Sequence, residues 1–96
     1  MSFEFEWDAA KAENNHKNHG VAFDEALTAF ADPLARIFDD PDHSGDEHRE
    51  ILIGHSMQQR LLVVCFTERA GKARIISARE TTKRERQDYE QNKHQS

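Results

Sequence analysis

Two short apolar runs leave this chain few ways to fold. Leu61 to Phe66 (LLVVCF) and Ala73 to Arg79 (ARIISAR) flank Ala70-Gly71-Lys72, and a charged run, ETTKRERQDYE, follows. Val- and Ile-rich segments joined by a short Gly-containing connection read as a β-hairpin. Leu61 to Phe66 is apolar at every position, so both of its faces must be covered, as in a central strand. Arg49 to His55 reads as a further strand and Ser56 to Gln59 as the turn into the hairpin, giving three consecutive antiparallel strands. If Ala73 to Arg79 is regular, Arg74 and Arg79 lie on opposite pleat faces. Thr82 with Glu85 three positions later forms a capping box, so a helix starts there and runs past Tyr89, with residues 92–96 frayed.

The first half supplies helices to cover that sheet. Phe3 to Trp7 alternates aromatic with acidic residues, the period of a strand with one wet face. Asp8 is a good N-cap for a helix from Ala9 to Asn18, closed by Gly20. Phe23, Ala26, Leu27 and Phe30 then fall at i, i+3, i+4 and i+7, one apolar stripe, and Asp32-Pro33 stops that helix. Leu34 to Phe38 reads as a short strand. The expected fold is α+β: one domain over residues 1–96, helices within residues 8–31, a three- or four-stranded antiparallel sheet between about residues 34 and 79, and a C-terminal helix.

Charge narrows the partners. The chain is negative overall, −5, yet residues 1–48 carry −9 and residues 49–96 carry +4. Arg69, Lys72, Arg74, Arg79, Lys83, Arg84 and Arg86 fall within eighteen positions. This polarity suits one basic partner at the acidic end and a polyanion at the other, or serves solubility alone. No N-terminal apolar segment of signal-peptide length is present, and no run is long enough to span a bilayer, so a soluble cytoplasmic protein is expected. The single cysteine, Cys65, excludes an internal disulfide and reads as a buried, inert thiol.

Clustered arginines point to phosphate. Their guanidinium groups grip it bidentately and stabilise charge developing on phosphorus. RNA or DNA phosphate is the expected partner, with Arg49, Arg69 and Arg79 the candidates to hold a scissile phosphate and Lys72, Arg74, Arg84 and Arg86 to bind the rest of the nucleic acid. Glu68, His55, Lys83 and Tyr89, or another histidine, are the candidates to move protons. Each has a plainer reading beside it: Glu68 pairing across strands with Arg74, Tyr89 packing its ring on the sheet. A nuclease that uses the ribose 2′-OH as nucleophile needs neither metal nor cysteine. The six histidines form no HExxH or Cys/His zinc pattern, and the four glycines form no phosphate loop, so no cofactor is expected. The Asp39 to His48 stretch invites an EF-hand register from Asp40, but the required Glu would fall at Ile51, and a solvated loop is the better reading.

Longer patterns carry a family resemblance. Phe5-Glu6-Trp7-Asp8 with Lys11 and Asn14, His19-Gly20-Val21, Phe23, Glu25-Ala26 and Asp32-Pro33 resemble the opening of the BrnT ribonuclease toxins. The second half is similar too: His43-Ser44, Glu47, Arg49, Gly54-His55-Ser56, Leu62-Val63-Val64, Phe66-Thr67-Glu68-Arg69, Arg74 through Arg79, then Thr82, Glu85 and Tyr89. Asn18 and Glu80 depart from it, standing where the family commonly has a basic residue and a basic or neutral one.

The resemblance implies a RelE-like fold, with N-terminal helices packed on a small antiparallel sheet and a C-terminal helix beside its other face. It also implies the toxin half of a type II toxin–antitoxin pair, a metal-independent endoribonuclease that cleaves RNA and arrests translation. Its partner would be a ribbon-helix-helix, BrnA-like antitoxin, in a heterotetramer that binds operator DNA through the antitoxin and represses its own operon. From a different class, a non-enzymatic toxin of RelE/ParE fold would instead block a protein target such as gyrase.

Overall fold

The structure, a computed structural model, describes residues 4–40 and 48–95. In chain order the elements are β1 (Glu4–Glu6), α1 (Ala9–His19), α2 (Phe23–Thr28), a 3₁₀ turn (Ala29–Ala31), β2 (Arg36–Asp39), β3 (Arg49–His55), β4 (Leu61–Arg69), β5 (Lys72–Glu80) and α3 (Lys83–Gln95). Local chemistry sets most of these boundaries. The Asp8 side chain accepts the Lys11 N–H at 3.0 Å to start α1, and Gly20, at φ 70°, ends it in the left-handed conformation. The helix expected over the Phe23 stripe is α-helical only to Thr28, then tightens to 3₁₀. Strand β2 starts at Arg36 rather than Leu34, because Asp32 holds the intervening residues in a turn: its side chain accepts the Leu34 N–H at 2.9 Å and its carbonyl the Ala35 N–H at 3.0 Å.

The strands form one sheet in the order β1-β5-β4-β3-β2, with β4 in the middle. The sheet is mixed and five-stranded, not three- or four-stranded and antiparallel as expected, because β1 joins the β5 edge in parallel. No turn links these two strands, so their direction is free of hairpin chemistry. Packing fixes it: Phe5 lies in register with Ala73 and meets Phe30 edge-on at 4.9 Å. Phe30 in turn meets Phe66 at 5.0 Å. The α2 stripe therefore covers the sheet face that carries Leu52, Leu62, Val64 and Phe66, and these residues make up the core with Val21, Phe23, Ala26 and Ile75.

Two contacts lock the helices to the sheet. Strand β1 pairs only with Lys72 to Arg74, so the rest of that β5 edge needs other partners. Buried Asn15 of α1 supplies them at Ala78, donating to its carbonyl at 2.8 Å and accepting its N–H at 3.0 Å. Buried Glu25 of α2 accepts from Arg60 Nε at 2.9 Å and from Arg60 Nη2, while Ser56 Oγ donates to it at 2.7 Å, pinning the β3–β4 turn.

A register shift decides which side chains share a face. Cys65 pairs with Ser77 but Phe66 with Ile75, so Ile76 is an extra residue on β5. Arg74 faces Thr67 and Arg79 faces Val63, four positions apart on β4. The two arginines therefore lie on the same face, not on opposite faces as a regular strand would require.

Candidate functional site

That shared face is the one away from α1 and α2. Pleat alternation and register put Arg36 of β2, Arg49 and His55 of β3, Arg69 of β4, and Lys72, Arg74 and Arg79 of β5 on it. Glu68 pairs with Ala73 on the opposite side, so it belongs neither with the arginines nor with Arg74. Arg74 instead bonds Glu6 of β1 at 2.9 Å. Cys65 is half-buried on the basic face rather than fully enclosed.

The basic residues spread along the face rather than converging. Arg49 pairs with Thr67, four positions along β4 from the Val63 partner of Arg79, and Arg69 lies six positions away. At the usual strand rise these separations are about 13 Å and about 20 Å. Lys72 sits with Arg69 at the far end. Lys83, Arg84 and Arg86 are exposed on α3.

Helix α3 closes the other end of the face, and its capping box ties it to the sheet. Thr82 N–H donates to Glu85 at 2.8 Å and Glu85 N–H donates to Thr82 Oγ at 3.1 Å. The same Glu85 carboxylate receives both Arg79 nitrogens, at 2.8 and 3.0 Å. That fork holds the Glu85 carboxyl down at about 2, from an ordinary 4.5, and raises the Arg79 guanidinium. A depressed carboxyl stabilises the fold fully above its unfolded value and loses that contribution as pH falls through its folded one. The link should therefore be whole above pH 4.5 and fade from there toward pH 2. Urea unfolding at pH 6 and pH 3 checks this: Glu85→Gln should lose less stability between the two than the parent protein, and an equal loss would refute the link.

One turn further on, Tyr89 meets the end of β3. Its ring packs edge-on against the His55 imidazole at 5.5 Å, and its hydroxyl donates to Asp32 Oδ2 at 3.2 Å. The same oxygen accepts the His55 backbone N–H at 2.7 Å and lies 3.4 Å from His55 Nδ1. Gly54 permits this approach, because a Cβ there would come within 2.9 Å of Ala35 Cβ and 3.0 Å of the Ala29 carbonyl. Burial works to raise the Asp32 carboxyl, but donors from His55, Leu34 and Tyr89 outweigh it and hold the group below its usual range. Burial, reinforced by the Asp32 charge, pushes the Tyr89 phenol up to about 12.

Beside this cluster lies a cleft of about 290 Å³, lined by Arg36, Phe38, Ile53, Glu85, Asp88 and Tyr89. A hollow of about 330 Å³ on the helix side, lined by Phe5, Leu27, Thr28, Phe30, Ala31 and Met57, has no titratable lining. Glu13, His16 and Asp24 line a third hollow of about 220 Å³ beside α1, away from the arginines, so the cleft that joins titratable side chains to the basic face is the one at its α3 end. Asp32 and Arg36 belong to that end, and neither is among the site residues that the sequence suggests. Asp32 reads as a helix stop and as part of the family resemblance, not as a site residue, and its partners lie 23 and 57 positions away.

A separate cluster sits at the start of the acidic stretch. Ligand atoms of Asp39, His48 and Glu50 lie within 4.8 Å of one another, with His48 Nε2 3.0 Å from Asp39 Oδ1. The EF-hand register considered for this stretch falls largely on residues 41–47, outside the described residues.

No helix among the described residues is long and apolar enough to cross a membrane. No curated protein matches the chain. The crystal structure of the Brucella abortus ribonuclease toxin BrnT is similar in fold, with a TM-score of 0.65 and 20% identity over 85% of this chain and 100% of that one. The family model described as ribonuclease toxin, BrnT, of type II toxin–antitoxin system matches residues 7–85, and the chain therefore belongs to the BrnT toxins.

Proposed function

We propose that this protein is a RelE-like endoribonuclease toxin, residues 1–96 forming one cytoplasmic domain, that cuts RNA without a metal ion and so arrests translation. The observation that supports this most is the gathering of Arg36, Arg49, Arg69, Arg74 and Arg79 on one sheet face, with His55 and Tyr89 at its α3 end. A base removes the proton of a ribose 2′-OH, and the oxygen attacks the adjacent phosphorus. The P–O5′ bond breaks, and the leaving 5′-oxygen takes up a proton. Arg79 stabilises the charge on the phosphorane. Arg49, Arg69, Lys72 and Arg74 hold neighbouring phosphates along the face, and Arg84 and Arg86 extend that grip onto α3. Glu68 and Lys83 remain candidates for the leaving-group proton only if RNA wraps the sheet edge or the start of α3.

A type II toxin has a protein antitoxin. In this reading the antitoxin is a BrnA-like ribbon-helix-helix protein that covers a surface including the acidic half of the toxin. The pair forms a heterotetramer and represses its operon through the antitoxin's DNA contacts. Purified toxin incubated with bare RNA in EDTA tests the enzymatic reading. It should yield 2′,3′-cyclic phosphate or 3′-phosphate ends. Cleavage abolished by EDTA, or 5′-phosphate ends, would turn attention to Asp39, His48 and Glu50, and intact RNA would favour a toxin that blocks a protein target such as gyrase.

A further inference from the structure

We infer that Asp32 is a positioning residue that selects His55 as the general base, holding the imidazole with its Nδ1–H turned inward and Nε2 left for the ribose 2′-OH. The inference rests on the ribonuclease reading and assigns the base among its proton-handling candidates. Its basis is the arrangement at a single oxygen. Asp32 Oδ2 takes the His55 N–H at 2.7 Å and the Tyr89 hydroxyl at 3.2 Å, with His55 Nδ1 at 3.4 Å, while Oδ1 serves the Leu34 N–H at 2.9 Å. Only the Leu34 bond is needed for the turn that Asp32 begins. The Oδ2 contacts bring in two other elements, β3 and α3, and both of the side chains involved are ones with acid–base capacity.

Exposure divides the roles. The Asp32 side chain is 9% exposed and that of His55 is 37% exposed, so the carboxylate is sheltered while the imidazole reaches solvent. A His whose Nδ1 faces a buried carboxylate keeps its proton there, which leaves Nε2 as an acceptor. Tyr89, 3% exposed, lies across the imidazole and limits its rotation. Its phenol, pushed up to about 12, keeps its proton near neutral pH and is a lock rather than a base. Glu68 is on the other face of the sheet. His55 also sits two residues from Ile53, which is in register with Arg36 and with Val63, the partner of Arg79. The base is therefore placed next to the cross-strand row that carries both guanidinium groups.

Nitrogen-15 NMR of the free toxin reads the His55 tautomer directly, and single-turnover cleavage of a short RNA oligonucleotide in EDTA reads the rate. The wild type should hold neutral His55 as the Nδ1–H form. In Asp32→Asn the amide cannot offer two acceptor oxygens, so that tautomer should lose its dominance. The rate at saturating RNA should fall on the order of a hundredfold or more, with little change in the RNA concentration needed. Tyr89→Phe should lose less than that. A wild-type His55 protonated on Nε2, or an Asp32→Asn protein that keeps its saturated rate, overturns the positioning role while leaving the ribonuclease reading standing. Wild-type protein that leaves the oligonucleotide intact overturns both. The wild-type spectrum needs no variant, so it decides the matter even where Asp32→Asn does not fold.

Discussion

Phe66→Ala should remove about 3–5 kcal/mol of folding stability, the usual loss when a buried phenylalanine is truncated in a packed core. Phe66 is 6% exposed on the central strand and carries the Phe30 ring edge-on at 5.0 Å, and Phe30 in turn supports Phe5 of β1 at 4.9 Å. Removing it takes away the sheet end of a three-ring chain that joins β4, the 3₁₀ turn after α2 and the β1 edge. Against a total of about 5–15 kcal/mol for a domain, this is a large fraction. Urea unfolding followed by Trp7 fluorescence measures it. Ile37→Ala, on the β2 edge with 53% of the residue exposed, should cost about 0.5 kcal/mol or less. Equal losses for the two variants would mean that β4 is not the centre of the core.

Arg79→Ala should lower RNA cleavage at saturating substrate about a hundredfold, the equivalent of about 3 kcal/mol for one well-aimed donor at a developing phosphate charge. In the free toxin both Arg79 nitrogens are engaged by Glu85, so RNA phosphate must share or displace that carboxylate. Arg79→Lys should recover little of the rate, because an ammonium cannot make the two parallel bonds of a guanidinium. The capping bonds between Thr82 and Glu85 do not involve Arg79, so α3 should still begin at Lys83, and circular dichroism checks this. Lys72→Ala, about 20 Å along the face, should instead raise the RNA concentration needed and reduce the salt slope by about one, with the saturated rate held. If Arg79→Ala matches Lys72→Ala in both respects, Arg79 serves only to anchor α3.

Local and periodic features were readable from the residues alone. Asp8 and Gly20 bound α1, the Phe23 stripe gave α2 its buried side, and all-apolar Leu61 to Phe66 had to be a central strand. The Thr82–Glu85 box marked the start of α3. These are decided within a few residues, where capping geometry and side-chain period act. The clustering of basic residues in the second half was equally visible, since charge needs no fold to be counted.

The rest depended on contacts between distant segments. Parallel pairing of β1 with β5 follows from the burial of Phe5 under Phe30, not from any turn. The extra Ile76 on β5 has no sequence marker, yet it brings Arg74 and Arg79 onto one face and takes Arg74 away from Glu68, so one unpaired residue sets the composition of the candidate site. Asp32 joins the site only because Gly54 lets the Ala29–Ala35 segment press against β3 and because α3 swings Tyr89 over His55. The sequence supplied the reactive side chains and the phosphate-binding charge. Long-range packing decided which of them meet, because a hydrogen bond spanning 57 positions forms only once strands β2 to β5 and the start of α3, which lie between its ends, are in place.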